Sequence, residues 1–183
     1  SAASDVYKRQ LLEYQYQNCE LSLQEGLEIY YNEIGKEQLL TGNGVGLDTF
    51  IRGHDCQHVI FGLGLSIEEE SILDTYALNA TDGIPWIDFA KYYFGGDGEL
   101  GKLYATLFKQ FGFIGLIKKM FEVRQQKLLA RKKIKLMTKK WPWVVNESNF
   151  SKKITDIRNE YNILILTKEE LGLNEPTYIE YAN

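Results

Sequence analysis

Residues 53–70, GHDCQHVIFGLGLSIEEE, decide the fold predicted for this chain. A helix predicted over 48–61 ends at two closely spaced glycines. Ser66, followed three residues later by Glu69, forms a capping box that predicts a second helix running to about Asn79. The stretch therefore predicts two consecutive helices joined by a short turn.

The rest of the chain shows the same helical periodicity. Further helices are predicted at Ser22–Ile34 and at 86–94. A longer one is predicted over 100–121 and continues to about Thr138, and two more follow, at 150–161 and from Thr167. The only β-rich run, Asn162–Leu166, is interpreted as a helix end or an extended connector. The sequence predicts an all-α fold, a single helical domain of about seven helices.

Length and composition limit the class of protein. The chain has 183 residues, of which 44% are hydrophobic and 25% charged, as in an ordinary globular domain. Its unbroken apolar runs are well below the ~20 residues of a membrane span. Two distant cysteines cannot build a disulfide framework, which favours a reducing compartment.

Residues 1–10, SAASDVYKRQ, back-translate into a transposase-type sequencing adapter. We interpret them as a scar from cloning or assembly. The predicted domain is then 11–183.

Charge is distributed unevenly along the chain. The net charge is −4, yet residues 118–140 hold ten Lys or Arg and one acid, Glu122. The net negative charge argues against a general nucleic-acid binder. The basic segment indicates either a solvated helix face or contact with an anionic surface.

The two histidines of the chain, His54 and His58, lie four residues apart. This spacing places both imidazoles on one helix face, as in sites where a helix offers two ligands to one divalent ion. Glu70 follows His58 after eleven residues. About 6 Å of helix rise separates His58 from the turn, and the same ~6 Å separates the turn from Glu70 on the next helix. If the chain reverses its direction at this turn, Glu70 therefore comes back level with His58. The metal site is thus predicted between two antiparallel helices.

Asp55 lies at the edge of the histidine face, as a fourth ligand or as an orienter of the ligands. Because Glu68 and Glu69 adjoin Glu70, either is a competing ligand. The donor set suits Zn²⁺ or a similar divalent ion with open positions for water or substrate. The alternative is a hydrogen-bonded polar cluster without metal.

Three known classes of metal site fit poorly. Zincin proteases carry Glu after the first histidine, where this chain has Asp55. Phosphohydrolases of the HD type need a further histidine upstream, and di-iron bundles need two Glu-x-x-His motifs. No histidine precedes His54, and the two histidines lie on one predicted helix rather than on two separate ones.

The pattern His54-Asp55-x-x-His58-x(11)-Glu70 resembles the H-D-x-x-H-x(11)-E motif of the Coq-four family of ubiquinone biosynthesis proteins. The resemblance covers roughly 21–166. It extends to Arg52, Gly62-x-Gly64, Trp141, Trp143 and Ile157–Glu160. The aromatic-rich stretch 81–98 has no place in the family pattern.

The resemblance implies a divalent metal, with zinc favoured, at His54, Asp55, His58 and Glu70. It implies an enzyme that replaces the carboxyl at ring carbon one of a polyprenylated benzoate by a hydroxyl, with Asp55 or Glu70 as proton acceptor. The alternative is a non-catalytic prenyl-lipid-binding scaffold that organises the pathway enzymes.

The resemblance also implies a homodimer that meets other ubiquinone-biosynthesis proteins. Its expected location is peripheral, on the cytoplasmic face of a bacterial membrane or the matrix face of the mitochondrial inner membrane. Apolar side chains beside the basic segment would suit the prenyl tail or an anionic lipid surface, although core packing is their alternative role. These are Phe111, Phe113, Ile114, Leu116 and Ile117.

Overall fold

The computed structural model describes residues 11–34, 47–88, 90, 109–112, 114–115, 117–119 and 121–172. This part of the chain is mostly helical, which confirms the all-α prediction. Its helices are α1 (Leu23–Ile34), α2 (Leu47–Phe61), α3 (Ile67–Ala80), α4 (Arg124–Ile134), α5 (Ile154–Tyr161) and α6 (Lys168–Leu171). Single 3-10 turns lie at Glu13–Gln15 and Glu147–Asn149. Residues 86–88 and the described positions of 109–122 are also helical, whereas the interpreted scar at 1–10 lies outside the described residues.

The turn between α2 and α3 forms as the glycines predict. Gly62 has a φ of 66°, a left-handed conformation that glycine adopts without strain. Leu63 N–H donates to the carbonyl of His58 at 2.9 Å, which closes the helix in a Schellman-type end. Ser66 and Glu69 then cap α3 reciprocally. The chain is thereby turned back within a few residues.

The caps predicted at two other helices also form. Ser22 N–H donates to the Glu25 carboxylate at 2.7 Å, and Glu25 N–H donates to Ser22 Oγ at 3.2 Å. Thr167 and Glu170 make the same reciprocal pair at the start of α6. Local sequence alone therefore locates these helix starts, because each cap joins residues three apart.

Two parts of the fold differ from the prediction. Strands β1 (Thr81–Asp82) and β2 (Trp141–Pro142) pair in parallel, whereas the sequence analysis found its only β-rich run at Asn162–Leu166. The basic helix is interrupted by a turn at Val123 and ends at Ile134 rather than near Thr138. Val123 is buried, so the turn keeps this side chain in the core where α4 packs on α3. Tertiary contacts override helical periodicity at both places.

One apolar core joins α1, α2, α3 and α5. Its large members are Tyr14, Leu23, Leu27, Ile60, Phe61, Leu63, Ile72, Tyr76, Trp141, Ile154 and Ile157. The extended run after α5 completes the core, as the connector interpretation expects. None of the described helices combines the length and apolar character that crossing a membrane needs.

Gly53 lets the chain after β2 pack directly on α2. Trp143 stacks on Phe50 with ring centroids 4.9 Å apart, and its Nε1 donates to the Phe50 carbonyl at 3.1 Å. A Cβ at position 53 would lie 2.6 Å from Trp143 Cδ1 and collide with the Trp143 carbonyl oxygen. Only glycine permits this approach, one residue before His54.

We expect the substitution Gly53→Ala to lower the free energy of unfolding by about 1–3 kcal/mol, although alanine is the better helix former. The obstructing atoms include backbone, so a side-chain rotation cannot relieve the collision. Urea denaturation measures the loss. Gly115→Ala, where the nearest atom is Phe111 Cβ at 3.3 Å, is the matched control and should change stability less. Equal stability of Gly53→Ala and the natural chain would contradict the close packing.

Candidate metal centre

Helices α2 and α3 bring three of the predicted ligands together. Glu70 Oε1 lies 3.1 Å from His58 Nε2, and Glu70 Oε2 lies 3.7 Å from His54 Nε2. The donor atoms of the three side chains all lie within 4.8 Å of one another. The predicted return of Glu70 to the level of His58 is therefore confirmed, and the group could hold a metal ion.

The separations suit a shared ion. Zn–N and Zn–O bonds of about 2.0–2.2 Å at a tetrahedral centre place two ligand atoms about 3.4 Å apart. The two nitrogen-to-oxygen distances to Glu70, 3.1 and 3.7 Å, lie on either side of this value. Imidazole nitrogen and carboxylate oxygen are donors that zinc and similar divalent ions accept.

His58 is fully buried and its ring nitrogens are left without hydrogen bonds. Within the described part of the chain neither Nδ1 nor Nε2 has a hydrogen-bond partner, since the approach to Glu70 lacks hydrogen-bond geometry. Tyr30 stacks on the imidazole with centroids 4.8 Å apart and rings inclined by 30°. A buried nitrogen without a partner is unfavourable. Coordination through Nε2 would satisfy one of the two nitrogens, so the residues fit a metal.

The charges at the site attract one another strongly. Burial alone lowers the pKa of His54, but contacts with Asp55 and Glu70 outweigh it and raise the pKa to about 10. Burial alone raises the pKa of Glu70, but attraction to His58 and His54 outweighs it and holds that pKa below its ordinary value. In the metal-free site Glu70 is therefore an anion and His54 a cation at neutral pH.

Asp55 lies outside the three-residue donor group. Its Oδ2 accepts a hydrogen bond from the Tyr31 hydroxyl at 2.9 Å, and its Oδ1 lies 3.5 Å from His54 Nδ1. Burial, and then the charge of Asp55, raise the pKa of Tyr31, so that phenol remains a donor. Of the two roles considered for Asp55, this geometry favours orientation of His54 over direct ligation.

The neighbouring acids have other partners, which settles the choice among the three glutamates. Glu68 pairs with Lys119 at 3.0 Å. Glu69 is fully buried, where it caps α3 and accepts hydrogen bonds from Gly64 N–H at 2.8 Å and Gln15 Nε2 at 3.0 Å. Among these three, only Glu70 joins the histidine pair.

A small cleft of about 90 Å³ opens beside His54. Its walls are mainly apolar, with Asp74 as the carboxylate; they comprise His54, Leu73, Asp74, Ala77, Leu78, Ile84 and Trp143. The side chains of His54 and Glu70 are 20% and 36% exposed, whereas His58 is fully enclosed. An ion held here would therefore be reached from the His54 side.

Sequence reasoning missed four residues around the site. Tyr30 and Tyr31 approach from α1, and Trp143 from the chain after β2. Asp74 could have been found, because it lies one helical turn after Glu70. The two tyrosines carry no local signal, and Trp143 was noted only as part of the family resemblance. The contacts of all three with α2 join distant parts of the chain.

We expect the affinity for Zn²⁺ to rise about tenfold per pH unit between about pH 6 and pH 8, because binding must displace one proton from His54. Its pKa near 10 keeps that proton in place over the whole interval. A histidine of ordinary pKa, about 6.5, would give almost no increase above pH 7. Competition with a chelator at several pH values measures the slope. A flat profile above neutrality would contradict the charged state of His54.

Comparisons with protein-family models, with curated proteins and with solved structures found no match to this chain.

Proposed function

We propose that this chain is a metal-dependent enzyme of ubiquinone biosynthesis, which replaces the carboxyl at ring carbon one of a polyprenylated benzoate by a hydroxyl. The observation that carries the proposal is the convergence of His54, His58 and Glu70 beside an apolar cleft. The motif resemblance adds the pathway and the substrate class. The bond between ring carbon one and the carboxyl breaks as carbon dioxide leaves. With dioxygen as the oxygen source, one atom enters the new hydroxyl and the other leaves as water, which takes two electrons and two protons from an external reductant.

The metal, with Zn²⁺ favoured, would be held by His54, His58 and Glu70. When bound it supplies Lewis acidity, which stabilises negative charge on a ring carboxylate or phenolate oxygen. Leu73, Ala77 and other apolar walls of the cleft would contact the ring. The cleft would thus bind the substrate ring, and the metal held by the three ligands would stabilise the negative charge on its oxygen.

Proton transfer requires a carboxylate that faces the substrate. Asp55 is buried against Tyr31 and His54, which leaves it poorly placed for this task. Asp74 lines the cleft; partial desolvation there, and then the charge of Glu70, raise its pKa to about 6, although its side chain is exposed at the mouth. We therefore add Asp74 to Glu70 as a candidate proton acceptor for the ring hydroxyl.

The test combines metal content with conversion of a polyprenylated hydroxybenzoate by the purified protein under isotopically labelled dioxygen, in the presence of a two-electron reductant. We expect about one divalent ion per chain and labelled oxygen in the product hydroxyl. Glu70→Gln should lose the ion and the conversion while keeping the fold. If that variant restored ubiquinone to a cell deficient in this step as well as the natural chain does, the scaffold would replace the enzyme as the function.

We propose in addition that the protein binds an anionic membrane surface, alongside other enzymes of the pathway, as a homodimer. The specific support is an apolar and basic helical segment. Ile114 and Phe121 are 82% and 69% exposed beside Lys118 and Arg124, a combination suited to lipid headgroups and acyl chains. Of the other apolar candidates there, 113 and 116 lie outside the described residues.

Flotation with vesicles that contain anionic lipid tests this surface. We expect the protein to float with them at low salt and to be released as salt screens its cations. The double substitution Ile114→Ser and Phe121→Ser should abolish flotation. Flotation unchanged by salt and by these substitutions would remove the surface from the proposal.

A further inference from the structure

Helix α1 reaches the candidate metal centre through a chain of two buried side chains. The Tyr31 hydroxyl donates to Asp55 Oδ2 at 2.9 Å, and Asp55 Oδ1 lies 3.5 Å from His54 Nδ1. Tyr31 and Asp55 are only 3% and 5% exposed. Water therefore competes little for either contact.

The two ring nitrogens of His54 face different partners. Nδ1 faces Asp55, and Nε2 faces Glu70 at 3.7 Å. An imidazole binds a metal through a nitrogen that carries no proton, and the other nitrogen then carries one. The group beside Nδ1 consequently determines whether Nε2 is free to coordinate.

We propose that Tyr31 and Asp55 are positioning residues that hold a proton on Nδ1 of His54 and so direct the lone pair of Nε2 toward the metal. This inference rests on the metal site of the proposed function. Asp55 acts as an acceptor only, and the Tyr31 hydrogen bond holds its other oxygen in place. The 3.5 Å contact to Nδ1 is long for a hydrogen bond, and we expect it to shorten once the ion holds the ring.

The same geometry predicts that Asp55→Asn weakens metal binding more than Tyr31→Phe does. In Asp55→Asn the Tyr31 hydroxyl still donates, so the amide oxygen stays with Tyr31 and the NH₂ group turns toward His54. An NH₂ donor facing Nδ1 demands a lone pair there and moves the ring proton to Nε2. The variant therefore presents the wrong nitrogen to the metal.

Two titrations with Co²⁺ or Zn²⁺ test the proposal. We expect Tyr31→Phe to weaken metal binding about 10-fold and Asp55→Asn about 100-fold, the range known for groups that orient metal ligands. Tyr76→Phe is the matched control for the first, because the buried Tyr76 hydroxyl has no hydrogen-bond partner in the described structure. Asp156→Asn, at an exposed carboxylate, controls for the second. Both controls should bind as the natural chain does.

The nitrogen that keeps its proton on the neutral His54 ring is observed by nitrogen-15 NMR of the imidazole rings, without any metal and at a pH alkaline enough for the His54 cation to have lost one of its two protons. With only two histidines, His58→Gln assigns the signals. We expect the neutral His54 ring to keep its proton on Nδ1 in the natural chain and on Nε2 in Asp55→Asn, and the nitrogen chemical shifts tell the two forms apart. A natural chain that shows this proton yet binds no metal would overturn the proposed function alone. A His54 ring without it, or full metal affinity in Asp55→Asn, would overturn the positioning role.

Discussion

Glutamine in place of Glu70 is expected to weaken Zn²⁺ binding by more than about 100-fold, beyond the 10–100-fold typical of residues that only orient ligands. Glu70 supplies the anionic donor of the group and contacts both histidines, at 3.1 Å and 3.7 Å. The amide keeps the shape of the side chain but removes its negative charge. Equilibrium competition with a chelator, at a fixed pH near neutrality, measures the loss.

The adjacent glutamates provide matched controls for Glu70→Gln. Glu68→Gln breaks only the pair with Lys119 and should bind Zn²⁺ normally. Glu69→Gln disturbs the cap of α3 and its contacts with Gln15 and Gly64, so it should lower stability but leave one ion per folded chain. Metal loss in Glu68→Gln or Glu69→Gln, with Glu70→Gln unaffected, would contradict the ligand assignment.

Methionine in place of Arg158 is expected to lower the free energy of unfolding by about 3–5 kcal/mol, because it removes the hydrogen-bond donor from several buried carbonyls at once. Arg158 of α5 is 1% exposed, and its guanidinium donates to carbonyls from two distant segments. The acceptors are Tyr14, Tyr16, Gln17, Val59 and Ile60, at 2.6–3.3 Å. Burial lowers the pKa of Arg158 to about 10, so it stays charged at neutral pH.

Two of the acceptors, Val59 and Ile60, belong to the last turn of α2, where carbonyls lack the usual partner four residues on; the Val59 carbonyl also accepts from Gly62 N–H at 3.3 Å. Arg158 thus closes the end of the helix that carries both histidines and ties it to the first described segment. Urea denaturation of Arg158→Met measures the effect. The exposed Arg131→Met should change stability by less than about 0.5 kcal/mol. A comparable small change in Arg158→Met would show that the carbonyls find other partners.

Most of the site could be predicted because its ligands sit close together in sequence. The spacing of His54 and His58 sets their common face through helical geometry. The glycine turn and the Ser66 cap then limit where α3 begins, which leaves Glu70 one turn into it. Each of these steps depends on residues at most a few positions apart, so none needs knowledge of the rest of the fold.

The roles of the individual acids could not be read from the chain. Asp55 was a candidate fourth ligand or an orienter of the ligands, and its carboxylate is directed to Tyr31 and His54, outside the three-residue donor group. This direction depends on where α1 packs against α2, and Asp55 and Tyr31 are 24 positions apart. Likewise, Glu68 has a different role from Glu70 because it pairs with Lys119, which lies 51 positions away in the chain.

The amino-acid sequence by itself determined the helical fold, the caps of α1, α3 and α6, and the register that returns Glu70 to the histidines. These features follow from backbone geometry over one or two helical turns. Only the tertiary structure decided the β1–β2 pairing, the Trp143 contact at Gly53, the Arg158 network and the two tyrosines beside the site. Such contacts join residues far apart in the chain, and which distant groups meet is set by packing of the common core rather than by any local period.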